Sequence, residues 1–223
     1  MYATNTYDVT DAYKDIALFS KNASITVEPS EDGCTRVVFI EKKRPILQLS
    51  VQGETLTVRQ GKAKWYDFLK VGIRRSEIKL FVPASTPRSL SVRSSVGQID
   101  IRSISCAENL NIVTSTAKTV LDNVTAQSID VKGGTGQILL NSIVVGGQIH
   151  LKSNTGQISL SDCSAPEILV KANTGSVSGK LPSGTVFIAR SNTGNVKLPK
   201  AELGDVIRGR CEVKTNTGNI RFE

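Results

Sequence analysis

The sequence predicts an all-β fold: a single-stranded right-handed parallel β-helix (β-solenoid) of about seven regular coils, with an irregular strand-rich N-terminal segment. Three observations support this class. A short motif recurs about every 20 residues, apolar and polar residues alternate on both sides of it, and the motif itself has a turn-forming composition. One coil cannot bury its own apolar face, so the coils have to stack on one another.

The repeated motif is N-T-G, seen in SNTGQISL from Ser153, SNTGNVKL from Ser191 and TNTGNIRF from Thr215. We take its glycine, or the residue in the same place, as the anchor of each repeat and name the repeat after it. Successive anchors are separated by 20, 19, 20, 19, 19 and 24 residues, so an insertion precedes the last repeat. The anchors are Gly97, Ala117, Gly136, Gly156, Gly175, Gly194 and Gly218.

Apolar residues recur seven and five positions before each anchor, and two, four and seven positions after it. This period of two predicts strands whose alternate side chains face a core. In the column two positions after the anchor, Ile138, Ile158 and Val177 are expected to lie one above another. We expect stacked strands about 4.8 Å apart, and a right-handed winding by analogy with parallel crossovers.

N-T-G is predicted to form the corner between two strands. Glycine adopts positive φ without steric cost, and Asn tolerates it better than most residues. Stacked Asn amides are expected to hydrogen-bond from coil to coil in the C-terminal half, since the first repeats carry Ser95, Ser115 and Gly134 at that place. The predicted structural turn residues are Gly97, Gly136, Gly156, Gly175, Gly194, Gly218, Asn154, Asn173, Asn192 and Asn216.

The chain is expected to form one continuous structural unit with two parts. Residues 1–89 are a strand-rich N-terminal segment and solenoid cap, and residues 90–223 are the N-T-G repeat solenoid. The segment WYDFLKVGI, with Trp65, Tyr66 and Phe68, is interpreted as a cap over the open end of the core, or alternatively as an aromatic binding surface. At the other end the chain stops at NIRFE, on the last strand of the last coil. Either residues 199–210 fold over this end, or its edge is open for a partner or a second copy.

No pattern of residues predicts chemistry. Cys34, Cys106, Cys163 and Cys211 match no zinc or redox spacing and are interpreted as reduced packing residues. His150 is the only histidine and is predicted to face outward. Four aspartates in different columns form no cluster: Asp100, Asp122, Asp130 and Asp162. The sequence therefore predicts no catalytic, cofactor-binding or metal-binding residues, and a protein that is not an enzyme.

One outward column is strongly basic. Four positions before the anchor, six of the seven repeats carry Lys or Arg, and Val113 fills the remaining place. This column, called here the basic row, is either a solvated face that keeps the sheet soluble or a docking stripe for a linear polyanion. The basic row consists of Arg93, Lys132, Lys152, Lys171, Arg190 and Lys214.

The partners considered for the basic row are an acidic glycan, a cell-wall polymer, an anionic membrane surface or an envelope protein. Nucleic acid is disfavoured because no aromatic residues interleave with the row. The net charge of +8 is spread over both halves of the chain and adds only a general attraction to polyanions. The sequence shows no signal peptide and no apolar run long enough to cross a bilayer. It is therefore expected in the cytoplasm or at the cytoplasmic face of the membrane, or outside the cell if it is a piece of a longer exported chain.

The repeated S-N-T-G-x-[IV]-x-[IL] turns resemble those of the bacterial "putative adhesin" domains of unknown function. The resemblance covers Leu90 to Glu223 clearly and Ile25 to Pro83 more loosely. It implies a β-helix, a bacterial source and a link to the cell envelope, and it brings no catalytic residues. The leading hypothesis is a non-enzymatic binding or scaffolding module. The alternatives are a self-assembling structural protein that joins through its open C-terminal coil and, more remotely, a polysaccharide-active enzyme.

Overall fold

The computed structural model describes residues 3–41, 47–61, 76–83, 87–200 and 206–223. These residues form strands and turns, and no helix occurs among them. The strands join into one sheet. They are β1 (Ala3–Val9), β2 (Asp15–Ser20), β3 (Ser24–Pro29), β4 (Thr35–Glu41), β5 (Leu47–Gln52), β6 (Thr55–Gln60), β7 (Glu77–Val82), β8 (Ser89–Arg102), β9 (Asn109–Thr135), β10 (Ile138–Thr155), β11 (Ile158–Ser164), β12 (Glu167–Thr174), β13 (Val177–Lys180), β14 (Thr185–Thr193), β15 (Val196–Lys197), β16 (Gly209–Thr217) and β17 (Ile220–Phe222).

The apolar columns stack as predicted. Ile138 pairs with Ile158 in parallel register, and Ile158 pairs with Val177 in the same way. All three side chains are at most 2% exposed. The all-β class and the mostly parallel, solenoid-like sheet are thereby confirmed, while the right-handed winding and the number of coils stay predictions.

The N-terminal segment continues the same stacking without the N-T-G signature. Strands β2 and β3 pair in parallel with β8, so that Ile16 lies over Leu90 and Ile25 over Ile99. Strands β6 and β7 pair in turn with β2 and β3, again in parallel. Among the described strands, antiparallel pairs occur only at this end, where β1 pairs with β4, β4 with β7, and β5 with β6. The predicted aromatic cap around Trp65 lies outside the described residues.

The last two repeats are stacked in the reverse of their chain order. Strands β16 and β17, which form the Gly218 repeat, lie between the Gly175 repeat and the Gly194 repeat. Of the two alternatives for this end, the open edge at NIRFE is therefore wrong, because β17 pairs with β13 on one side and with β15 on the other. The outer repeat is instead the Gly194 repeat, formed by β14 and β15. Its strand β14 pairs, within the described part of the chain, with β16 alone.

Side-chain size explains this order. In the column four residues after the anchor, the Gly175 repeat has Gly179 and the Gly218 repeat has Phe222, where the other five repeats have leucine or isoleucine. Gly179 pairs with Phe222, and a Cβ built on Gly179 would lie 3.2 Å from the Phe222 ring. The large ring thus occupies the room left by the missing side chain. The insertion before the last repeat supplies the chain length needed to return past the outer repeat.

Candidate functional site

The structure brings all members of the basic row onto neighbouring strands of one face. Lys132 pairs with Lys152, and Lys152 pairs with Lys171. Because the last two repeats exchange places, Lys171 is followed by Lys214 and then by Arg190. The row begins at Arg93, which is separated from the lysines by Val113. At about 4.8 Å per strand, the six steps from Arg93 to Arg190 span about 29 Å.

The basic row is exposed and only partly neutralised. Lys132 lies 2.9 Å from Asp130, and Lys214 lies 2.5 Å from Glu212. The hydrogen bond from Lys214 is the main reason why the pKa of Glu212 is lowered. The other four cations form no ion pair with any described residue, namely Arg93, Lys152, Lys171 and Arg190. In water, neighbouring charges at this spacing repel by about 0.9 kcal/mol before screening, and an anionic ligand would relieve that repulsion.

A column of amides runs beside the basic row, two residues further along each strand. Asn192 donates to Asn216 at 3.2 Å, and Asn216 donates to Asn173 at 2.7 Å, all through side-chain amides. Both bonds link neighbouring repeats of the C-terminal half, where we expected the ladder. Asn154 lies in the same column and forms no such bond to a described residue.

The corner glycines have two reasons to be glycine. Their φ values lie between 133° and 149°, a region that side chains rarely allow. A Cβ on Gly156 would also lie 1.9 Å from the carbonyl oxygen of Gly136 in the preceding repeat. Ala117, the one anchor that is not glycine, does not have a positive φ. The Asn residues of the motif do not have one either, which corrects that part of the expectation.

The chain uses left-handed conformations at a second corner, which the N-T-G pattern does not predict. Six residues after the anchor, four successive repeats have a non-glycine residue with φ of 52–53°. The signal in the sequence is the residue type, because Ser, Asn and Asp are short and polar and can bond locally in this conformation. These residues are Ser103, Asn123, Ser142 and Asp162.

The basic row extends beyond Arg93 into the N-terminal segment, where no extension was expected. Phe19 on β2 pairs with Arg93, and Arg59 on β6 pairs with Phe19. The Arg59 guanidinium lies over the Phe19 ring, 4.4 Å from its centroid. Because this segment lacks N-T-G, no anchor in the sequence places Arg59 in the same column.

A depression of about 650 Å³ lies at this end of the row. Its walls come from the column of the basic row on β2, β6, β8 and β9, from the two residues that follow each of those positions, and from Gln48 on β5. Lys21, Arg59 and Arg93 line it, and no acidic residue is among its described lining residues. The other lining residues are Phe19, Ser20, Gln48, Gln60, Gly61, Ser94, Ser95, Val113, Thr114 and Ser115.

The remaining candidate groups are structural. Burial raises the pKa of the thiols of Cys106, Cys163 and Cys211 to between about 11 and about 12, which leaves them protonated and unreactive at neutral pH. Cys34 departs from the expected packing role because it is exposed. His150 is about a quarter exposed and its Nδ1 lies 3.7 Å from Asp130. In the described ranges no group of three or more His, Cys, Asp or Glu residues is arranged to hold a metal ion.

None of the elements in the described part of the chain is a helix long and apolar enough to traverse a bilayer.

Asp100 is bound at both oxygens by Arg102, at 2.9 and 2.7 Å. Asp122 accepts from the Asn141 amide at 2.6 Å. Both carboxylates therefore have structural partners.

The chain is similar to several solved bacterial structures. A "putative adhesin" from Parabacteroides merdae ATCC 43184 is 14% identical, with 100% of this chain and 96% of that chain covered and a TM-score of 0.49. A "putative cell adhesion protein" from Clostridium sporogenes ATCC 15579 is 11% identical, with 100% and 99% covered and a TM-score of 0.46. A "putative lipid binding protein" from Parabacteroides distasonis ATCC 8503 is 12% identical, with 99% and 96% covered and a TM-score of 0.41.

No curated protein has a sequence that matches this chain. The family model described as Toastrack DUF4097 matches residues 13–223, which is nearly the whole chain and includes every strand of the basic row. The chain therefore belongs to the Toastrack DUF4097 family, a bacterial domain family of unknown function.

Proposed function

We propose that this protein is a non-enzymatic, adhesin-like binding or scaffolding module at the bacterial cell envelope, built as a right-handed β-solenoid of about seven regular coils. Its ligand is a linear polyanion, which lies along the basic row. The observation that carries the proposal is the row itself: cations on successive strands of one exposed face, four of them without an ion pair to any described residue.

An acidic glycan fits this face better than the other polyanions considered. The charges form a straight file and are flanked by the amide column, which offers hydrogen bonds to sugar hydroxyls. Charge attraction alone would suit an anionic membrane or a phosphate polymer equally, so these remain outcomes of the test.

Replacing Lys132, Lys152 and Lys171 together by Gln should weaken binding to polygalacturonate by about ten- to hundredfold. Each exposed ion pair contributes up to about 1 kcal/mol, and about 1.4 kcal/mol corresponds to a factor of ten. The measurement is calorimetric titration of the polymer at two salt concentrations. We expect the difference between wild type and variant to shrink as salt rises.

The matched control removes three exposed lysines beyond the N-T-G corner, Lys118, Lys180 and Lys197. It changes the net charge by the same amount and should leave the affinity within about threefold. Equal losses in the two variants would mean that only net charge matters, and the basic row would then not be a binding site. Binding confined to phosphatidylglycerol vesicles would assign the row to a membrane surface instead.

Self-assembly stays a second candidate, with its interface moved from the C-terminal strand to β14. Val186 and Ile188 point outward from this edge strand and are 42% and 47% exposed. Within the described residues, β14 has a strand partner on one side only. An edge strand with exposed apolar side chains is a template for pairing with another copy.

If β14 mediates self-assembly, sedimentation velocity should show dimers at tens of micromolar protein, and Ile188→Lys should leave a monomer. A lysine on an edge strand opposes strand addition because its charge cannot be buried. Val144→Lys is the control, since Val144 is 56% exposed but lies on β10, which is paired on both sides. A monomeric wild type at all concentrations would eliminate this candidate.

A further inference from the structure

The depression beside Arg59 and Arg93 differs from the lysine-bearing part of the basic row in shape and in residue type. The row is exposed along the four lysine-bearing strands, whereas at the N-terminal end β5 and β6 add a wall and create a concavity. The cations at this end are arginines, as is Arg190 at the far end, whereas the four cations between are lysines. Arginine presents a planar fork of donors that matches a carboxylate or phosphate, whereas lysine offers a point charge.

The two arginines lie on the strands either side of an aromatic residue, and one of them stacks on its ring. Arg59 and Arg93 pair with Phe19 from opposite sides, so their backbones are about 10 Å apart, or two strand spacings. The Arg59 guanidinium stacks on the Phe19 ring at 4.4 Å. Neither arginine forms an ion pair with any described residue, which leaves both forks available to an anion.

Uncharged polar groups complete the lining. Gln60 forms a fixed wall, since its side-chain oxygen accepts from the Ser20 hydroxyl and from the backbone N–H of Lys21, both at 3.0 Å. The Thr114 hydroxyl is buried and has no hydrogen-bond partner in the described part of the chain. A buried hydroxyl without a partner carries a free-energy cost, but its side chain lies on the core side of the strand, so the hydroxyls within reach of a ligand are on the outward residues. Ser95 and Ser115 add two exposed hydroxyls.

We propose that this depression is the subsite that binds one uronate sugar, with Arg59 and Arg93 binding its carboxylate and the exposed serine and glutamine groups hydrogen-bonding to its hydroxyls. The inference rests on the proposed function and deepens it. The arginine subsite would fix the position of one sugar of an acidic glycan, and the other carboxylates of the polymer would then lie beside the lysines of the basic row. A sugar carboxylate is favoured over a lipid phosphate because the groups beside the arginines are several separate hydroxyls and amides. The depression lies within the size range of small-molecule sites, about 300–1,000 Å³.

The test uses trigalacturonate, which is too short to occupy the whole row, together with polygalacturonate. Wild type should bind the trimer, and the double variant Arg59→Gln/Arg93→Gln should lose at least tenfold in affinity. The double variant to lysine keeps the charge but not the fork, so we expect an intermediate loss of about three- to fivefold. The variant in which Lys132, Lys152 and Lys171 are all changed to Gln should bind the trimer within about threefold of wild type. Thermal melts of each variant establish that it is folded.

The controls separate this inference from the proposed function. The methyl-esterified trimer, which lacks the negative charge, should not bind. Arg102→Gln removes an arginine that is paired with Asp100 outside the depression, and it should leave the affinity for the trimer unchanged. Wild type that binds the polymer but not the trimer, or a double variant with unchanged trimer affinity, overturns the subsite and leaves the row intact. Binding of tripolyphosphate in preference to trigalacturonate overturns the uronate assignment, and absence of binding to every polyanion overturns both proposals.

Discussion

Phe222→Ala should destabilise the protein by about 3–5 kcal/mol. The ring is 1% exposed, and it packs beside Gly179 and against the Phe187 ring, with a centroid distance of 4.9 Å. Its strand lies inside the stack, with β13 and β15 on either side. The loss of the ring leaves a cavity there, which the paired strands cannot close without breaking their register.

Phe187→Ala is the matched control for this prediction. Phe187 occupies the outer repeat and is only partly buried, so its removal should cost about 1–2 kcal/mol, less than the Phe222 change. The measurement is urea unfolding followed by circular dichroism, with the slope compared between variants. If the repeats were stacked in chain order, Phe187 would be the inner residue and the ranking would be reversed. A larger loss for Phe187 would therefore contradict the observed pairing of β16 and β17 between the Gly175 and Gly194 repeats.

The columns of the repeat were predictable because a parallel stack places equivalent residues beside each other. Once the anchor was known, the alternation of Ile, Val and Leu gave both the core and the outward basic row. The order of the last two repeats was not predictable from periodicity, which treats every repeat as equivalent. The relevant signal was a size mismatch in one column, Gly179 against Phe222.

The N-terminal coils could not be predicted, for a different reason. Strands β2 and β3 turn their corner at residues 21–23 without an N-T-G motif. The corner is supported instead by the side chain of Gln60, which accepts from the backbone N–H groups of Lys21 and Asn22 at 3.0 and 3.3 Å. A side chain from a residue nearly 40 positions away leaves no local signature. The arginine subsite was hidden in the same way, since Arg59 enters the basic row only through this long-range pairing.

Gly156→Ala should be at least as disruptive as Phe222→Ala, with a loss of about 3–5 kcal/mol. The φ of Gly156 is 145°, and holding a side chain in such a region costs about 1–3 kcal/mol. The added Cβ would also lie 1.9 Å from the Gly136 carbonyl oxygen, which overpacks the corner at a further cost of about 1–3 kcal/mol. A shift of the corner cannot relieve this contact freely, because the Gly156 N–H donates to Thr174 O at 2.9 Å in the next repeat.

Gly133→Ala is the control. Gly133 lies three residues before the corner of the neighbouring Gly136 repeat, and it does not have a positive φ. Its added Cβ would lie 3.5 Å from the nearest atom, a methyl of Ile138, and the equivalent position of another repeat already carries Ala172. We expect a change within about 1 kcal/mol, since the restriction that alanine places on the unfolded chain offsets any small loss in the folded state. Urea unfolding of both variants measures the difference. If the two variants had equal free energies of unfolding, the corner would accommodate a side chain without destabilising the fold. The close contact between successive corners would then not explain why N-T-G recurs along the chain.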